Sequence, residues 1–422
     1  MESTVKVFKF GGASVKDAKS IVNVGEILKN YGLAPTIVVI SAMGKSTNHL
    51  ERIVQAYWQK SSGLTGLVDE FKDFHLNIIS ELKIEDQQFH MEIANVFVQL
   101  DSKLSDSASD NFHFEYDQIV PFGEILSTKI VVAHLQSVGL LAKWIDARNV
   151  VKTDRNYQEG RVQWNKSQAA FDGCIQPIIN QFDFFITQGF IGQTNEGLNT
   201  TLGREGSDFT ASIFAFMSKA ESVTIWKDVP GMLNADPKYF NGTILLKKIS
   251  FTEAVELAYY GASVIHPKTI QPLKNSDIPL YIKSFLNPQN TGTVIQSSTQ
   301  YDAEVPSYIF KENQILISVT PKDFSFIVED QLTSIFGLLS KQKIRINLMQ
   351  NSAVSFSFLI DSKYKLDQLL KNLGKSFNVE HSEDLKLLTI RHYDDETIKR
   401  LTAKKDTILT QKTQETARII LR

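Results

Sequence analysis

Val5-Lys-Val-Phe-Lys-Phe-Gly-Gly-Ala-Ser14 alternates apolar and polar side chains as a strand does, then runs straight into two glycines. The spacing after it predicts a helix over Asp17–Asn30, with Ile21, Val24, Ile27 and Leu28 on one face. Pro35-Thr-Ile-Val-Val-Ile40 is a short continuous apolar run, the pattern of a strand buried on both faces of a parallel sheet. It ends in the polar loop Ser41-Ala-Met-Gly-Lys-Ser-Thr47. Strand, polar loop, helix and buried strand in this order predict an α/β fold with a mainly parallel central sheet flanked by helices. Ligands of such sheets gather beyond the carboxyl ends of the strands, where both loops fall.

Further strands are expected at Leu140–Asp146, Phe182–Thr187, Ser222–Trp226 and Ile278–Lys283. Before them, residues 50–107 read as long amphipathic helices, among them Leu64–Leu82 and Phe89–Leu104, with packing or a partner-facing surface as their role. After a polar break at Ser105–Asn111, Pro121-Phe-Gly-Glu124 opens a helix through His134. Glu124 is there either a carboxylate answering the helix dipole or a group facing a pocket. The densest polar stretch is Thr200-Thr-Leu-Gly-Arg-Glu-Gly-Ser-Asp208, directly before the apolar helix start Phe209-Thr-Ala-Ser. Its glycines let the backbone approach a ligand, and a helix N-terminus offers N–H groups to an anion. Arg204 adds a fork for a carboxylate or phosphate. Asp208 is suited to capping the helix or to holding a metal or cationic group. A turn that merely caps a helix would carry the same glycines. Gly44-Lys-Ser-Thr47 is not a P-loop, because Val39 stands where that motif needs a glycine. Lys9-Phe-Gly-Gly12 is the better phosphate cradle, its alternative being a surface lysine before an ordinary turn.

The 422 residues, 42% of them hydrophobic, suffice for two or three domains with their own cores. A formal charge of -2 carries no signal for nucleic acid or a membrane surface. No apolar run approaches membrane-spanning length and the start reads as a strand, so a cytoplasmic protein is expected. The single cysteine, Cys174, excludes an internal disulfide and reads as a small core residue. The histidines show no metal-ligand spacing, and His266 before Pro267 reads as a turn residue. Ser250-Phe-Thr-Glu253 is a capping box at the head of a helix ending near Tyr260. Pro288–Thr293 marks a boundary, and the pattern then changes. Strands are expected at Gln314–Thr320, Ile344–Met349 and Val354–Ile360, with helices Leu332–Gln342 and Lys365–Leu373. A weaker echo follows at Leu385–Ile390, Asp394–Lys404 and Ala417–Leu421. This gives a βαββαβ unit over about 312–375 and a shortened one over about 376–422. The expected division is a domain at 1–298 and a second region at 303–422.

Lys9-Phe-Gly-Gly-Ala-Ser-Val, Val39-Ile-Ser-Ala-Met-Gly, Thr201-Leu-Gly-Arg-Glu-Gly-Ser-Asp-Phe-Thr-Ala and Ile225-Trp-Lys-Asp-Val-Pro-Gly resemble the motifs of aspartate kinases. So do Ala235-Asp-Pro-Lys, Glu253-Ala-Val-Glu-Leu-Ala, Gly261-Ala-Ser-Val-Ile-His-Pro and Pro288…Gly292-Thr293. They occur in the family's order over nearly all of residues 5–296, and the tail resembles the family's ACT regulatory region. The resemblance implies the amino-acid kinase fold followed by α+β ACT-type units. It further implies ATP-dependent, Mg²⁺-assisted phosphorylation of the β-carboxylate of L-aspartate, the first step toward lysine, threonine and methionine. Carried over, Lys9 contacts the phosphates and stabilises the transferring phosphoryl group, with Gly11 and Gly12 as backbone donors. Ser41, Thr47 and Ser207 become aspartate contacts, Glu124 meets its ammonium, and Arg204 clamps its carboxylate. Asp208 organises the catalytic lysine, and Lys227, Asp228 and Lys238 fall at nucleotide contacts. No residue is assigned as a metal ligand. Because the nucleophile is already a carboxylate, no general base is needed; positioning and charge neutralisation carry the step.

Several positions depart from the family pattern. Ala13 replaces a hydroxyl residue, Glu205 adds a negative charge beside Arg204, and Ser263 stands where many relatives have a lysine near the nucleotide. Glu329-Asp-Gln331 replaces a glycine-containing turn before the effector helix. The resemblance also implies lysine or threonine as effector, and a homodimer or higher oligomer. Two other readings are a related kinase acting on glutamate and a catalytically silent amino-acid-sensing subunit. Retention of Lys9, Glu124, Arg204 and Asp208 together argues against silence.

Overall fold

The structure, a computed structural model, describes residues 4–32, 35–262, 265–323, 325–403 and 405–422. Ser263, one of the departures noted above, lies outside the described residues. The chain forms two compact units. One runs to Met232 and takes in Leu245–Val255 and the stretch ending at Tyr301; the other takes in Leu233–Ile244, the stretch from Glu256 and Asp302–Arg422.

The first unit is built on strands β1 (Lys6–Phe10), β2 (Thr36–Ile40), β3 (Ala142–Ile145), β4 (Phe184–Gln188), β5 (Ile191–Gln193), β6 (Asn199–Thr201), β7 (Ser222–Lys227), β8 (Lys248–Ser250), β9 (Leu280–Ser284) and β10 (Thr293–Gln296). Eight of them form one sheet in the order β3-β4-β2-β1-β7-β9-β10-β8, and β5 pairs with β6 as a separate hairpin. Every neighbour pair in the large sheet is parallel except β9 with β10. β2 is buried at every position, as its unbroken apolar run requires. β10 rejoins this sheet just after the Pro288–Thr293 loop.

Its helices include α1 (Ala18–Tyr31), α2 (Ser46–Trp58), α3 (Leu64–Leu82), α4 (Gln87–Ser105), α5 (Phe112–Ile119), α6 (Pro121–Ser137), α7 (Ala147–Val150), α8 (Trp164–Cys174) and α9 (Gly206–Ser218). Asp17 caps α1 by accepting from Ser20 N–H at 2.8 Å. The 50–107 helices are core elements: Ile53, Phe71, Ile79, Ile93 and Leu100 are buried in one cluster with Phe8, Phe10 and Trp226. α9 packs on β1, β2 and β7.

The second unit carries β11 (Ser307–Pro321), β12 (Leu348–Asn351), β13 (Phe356–Asp361), β14 (Phe377–Arg391), β15 (Thr407–Lys412) and β16 (Thr416–Leu421). They form an antiparallel sheet in the order β12-β13-β11-β14-β16-β15. Helices Glu329–Lys341, Leu366–Leu373 and Asp395–Thr402 complete it. The order β11, helix, β12, β13, helix, β14 is the expected ACT-type βαββαβ.

Two expectations fail here. The strand foreseen at Ile344–Met349 begins only at Leu348. Ile344 instead closes the preceding helix, its N–H reaching the Leu339 carbonyl at 2.9 Å after Lys343 turns through φ 54°. Cys174 is exposed rather than buried. The inward stripe of α8 runs through Ser167 and Phe171 to Ile175, which rotates Cys174 outward.

Candidate active site

Residues from widely separated parts of the first unit meet around a cavity of about 640 Å³, at the carboxyl ends of β1, β2 and β7. Lys9, Ser41, Thr47, Glu124, Arg204, Ser207, Asp208 and Lys227, all singled out from sequence, line it.

The two-residue period of β1 decides which way Lys9 points. Phe8 and Phe10 face the core against Trp226, with ring centroids 5.6 and 6.0 Å away. Lys9 therefore takes the opposite face, toward α9. Its Nζ lies 2.5 Å from Asp208 Oδ1, while Lys227 Nζ lies 3.4 Å from Oδ2 of the same carboxylate. Asp208 sits in the first turn of α9 and is 3% exposed. Burial alone would raise its carboxyl; the two ammonium groups outweigh this and hold it below its ordinary value. Two cations on one anion leave a positive surplus beside a helix N-terminus, a setting that favours a bound anion.

Glu124 opens α6 and is buried, with Oε2 lacking a hydrogen-bond partner among the described residues. Burial pushes its carboxyl up to about 8, against the pull of the Ala42 backbone N–H and of Lys9. An approaching ammonium would restore its charge and satisfy the free oxygen. Arg204 is exposed and makes no ion pair among the described residues, so its fork is open to a carboxylate. Glu205 adopts φ 54° at the N-cap of α9 and also lines the cavity, with Oε2 buried and unpartnered among the described residues.

The other sequence-derived positions fall outside the lining. Gly12 is pressed against the following loop: a Cβ there would meet the carbonyls of Ala42 at 2.7 Å and Gly44 at 2.8 Å. Gly11 adjoins the Lys9 amine, at 3.5 Å from where its Cβ would stand. Asp228 is exposed and does not line the cavity. Lys238 groups with the second unit, where its Nζ meets the Tyr239 hydroxyl at 3.0 Å. Ala13 is exposed in the turn Gly12–Val15. His266 caps the helix Pro267–Asn275 by accepting from Lys268 N–H at 3.2 Å, the structural role expected of it.

Sequence reasoning passed over Glu51, Tyr116, Gln158, Glu159 and Phe190, which complete the lining. Tyr116 donates to Glu51 at 2.9 Å. It also passed over α5 as a helix, although Asn111 signals it by accepting from Phe114 N–H at 3.1 Å. With α5 it missed the buried carboxylate of Asp117.

Residues 4–284 match the amino acid kinase family, and the chain belongs to that family. Within it, the chain is 29% identical to lysine-sensitive aspartokinase 3 of Escherichia coli over 398 residues, 92% of this chain and 87% of that one. The structure resembles E. coli aspartokinase III in complex with lysine and aspartate, with TM-score 0.84 at 26% identity over 99% of this chain and 96% of the other. It resembles the same enzyme with aspartate and ADP at TM-score 0.80, with the same identity and coverage.

Proposed function

We propose that the chain is an aspartate kinase that transfers the γ-phosphoryl group of ATP to the β-carboxylate of L-aspartate, giving 4-phospho-L-aspartate. The observation that carries the reading is the Lys9–Asp208–Lys227 cluster facing Glu124 and Arg204 across one cavity. An amino acid with a second carboxylate presents one ammonium and two anions. Glu124 answers the ammonium and Arg204 the α-carboxylate, which directs the β-carboxylate toward Lys9. The relatives support this: E. coli aspartokinase III binds aspartate and ADP.

The reacting carboxylate needs no base, so the chain's contribution is alignment and charge. Lys9 and Lys227 neutralise the phosphoryl oxygens, and Asp208 fixes both ammonium groups so that little reorganises during transfer. Ser41, Thr47 and Ser207 supply hydroxyls around the substrate, while Gly11 and Gly12 let the first loop run close to the phosphates. Asp228 and Lys238 are nucleotide contacts in the same proposal. The donor set suits Mg²⁺ brought in on the triphosphate: among the described residues no group of three or more His, Cys, Asp or Glu side chains stands ready to cage a metal. Mg²⁺ keeps waters and phosphate oxygens as most of its ligands and needs no such cage. When bound, it would neutralise charge between the phosphates.

The second unit, residues 303–422 in this reading, is a regulatory region for lysine or threonine. The E. coli relative's complex with lysine supports an amino-acid effector. A homodimer through this unit is part of the proposal, since edge strand β12 and its neighbouring helix leave Val328, Phe336 and Met349 exposed. A monomeric mass by sedimentation at working concentration would contradict the dimer. The enzyme is read as cytoplasmic; among the described residues no helix is long and apolar enough to cross a membrane.

Calorimetry tests the substrate assignment. With a non-hydrolysable ATP analogue and Mg²⁺ present, aspartate is expected to bind at least about tenfold more tightly than glutamate or than succinate, which lacks the ammonium. Succinate binding as well as aspartate would remove Glu124 from its role and the proposal with it.

A further inference from the structure

Asp117 is wholly buried near the end of α5, and the phosphoryl transfer proposed above makes no use of it. Its carboxylate joins two separate loops. Oδ2 accepts the backbone N–H groups of Gln158 and Thr201, each at 2.9 Å, and Oδ1 accepts the Thr201 hydroxyl at 2.8 Å. Gln158 and Thr201 both line the cavity, and Arg204 follows three residues after Thr201. The two loops are also tied to each other, Gly160 N–H donating to the Thr201 carbonyl at 2.8 Å.

The neighbouring residue of α5 extends the tie. Gln118 Nε2 donates to the Asn199 carbonyl at 3.0 Å, and its Oε1 accepts Asn199 N–H at 3.2 Å. Consecutive side chains of one short helix thus fix both ends of β6. The anchored backbone is costly to hold otherwise, since Gln158 sits at φ 66°, a region that non-glycine residues seldom occupy. Arg204 itself makes no ion pair among the described residues, so its aim depends on the loop that bears it.

A carboxylate is the side chain suited to this task. It accepts at both oxygens without presenting a donor, and because both backbone N–H groups go to Oδ2, a side chain with no acceptor there would orphan two buried donors. Burial makes the choice expensive for stability alone: it raises the Asp117 carboxyl to about 6, even with the three donors and nearby His113 pulling the other way.

We infer that Asp117 is a positioning residue for the acidic substrate: it locks the 158 and 201 loops together so that Arg204 is aimed before the substrate arrives. This rests on the reading of Arg204 as the clamp on aspartate's α-carboxylate.

The test uses the whole chain as wild type, Asp117→Ala and Thr201→Val, with aspartate and ATP varied separately. Asp117→Ala, which removes the acceptor of both backbone N–H groups, is expected to raise KM for aspartate about tenfold or more while kcat and KM for ATP stay within about threefold. Thr201→Val, which removes only the hydroxyl contact, is expected to raise it about two- to threefold. Equal losses in both KM values, or an unchanged KM for aspartate, overturn the inference. Hydrogen exchange on the ligand-free protein gives a second readout that does not depend on activity. Exchange should quicken in Asp117→Ala at residues 158 and 199–206 but not in α1 or β2. Unchanged exchange at those loops overturns the positioning role even where kinetics shift. A wild type silent on aspartate, with loosened loops in the variant, would remove the functional reading and leave the loop-locking role standing.

Discussion

Glu124 shows how one buried group links folding, charge and binding. Burial holds its carboxyl up at about 8, against 4.5 for an ordinary glutamate. Between those values the folded chain holds a proton at Glu124 that the unfolded chain has released. Stability from this group therefore falls as pH rises from about 4.5 to about 8, and stays low above that. We expect Glu124→Gln to flatten this part of the melting-temperature profile of the ligand-free protein, with its advantage over wild type largest near pH 8–9. Saturating aspartate should shrink the difference by giving the wild-type carboxylate its ammonium. Parallel profiles for the two proteins would contradict the assignment. The polar residues of this site were legible because their types are unusual next to glycines: Lys9 before Gly11-Gly12, and Arg204 within a glycine-flanked run before Asp208. Asp117 was not legible, because its partners are backbone N–H groups at positions 158 and 201 that no local pattern announces.

Elements were readable where one period ran without competition. β2 is an unbroken apolar run, and α3 falls at Leu64–Leu82 as its periodicity predicts. Reading failed where a helix exit borrowed a strand-like alternation, as at Ile344, and where apolar side chains do not mark a buried face, as at α5, which buries Glu115 and Asp117, and at the mostly exposed β15. The loop joining β1 to α1 carries a sharper demand. Gly12 has backbone carbonyls at 2.7 and 2.8 Å from where a Cβ would stand, and backbone yields little. Gly12→Ala is expected to cost about 1–3 kcal/mol and to lower the melting temperature. Gly66, inside α3 with nothing within 4 Å of its Cβ position, is the control. Gly66→Ala should stabilise by up to about 1 kcal/mol through helix propensity. Shifts of the same sign in both variants would show that the close approach at Gly12 is not what matters.

Across the whole chain, the sequence order of motifs carried more than any one of them, because a parallel sheet draws its carboxyl-end loops from distant positions. Residues 9, 41, 124, 208 and 227 reach one cavity for that reason. The grouping of 233–244 and of the stretch from Glu256 with the second unit is long-range, and linear reading could only place a single boundary near 300. At this scale the property that matters is phosphoryl transfer to aspartate. It is tested most directly by trapping the acyl phosphate with hydroxylamine, using purified protein, ATP and Mg²⁺ with aspartate or glutamate. We expect hydroxamate from aspartate and little from glutamate, and at least about a hundredfold loss of kcat in Lys9→Ala from lost charge stabilisation. Lysine or threonine added to the wild type would then report on the second unit. No aspartyl hydroxamate, or near-normal turnover in Lys9→Ala, would contradict the account.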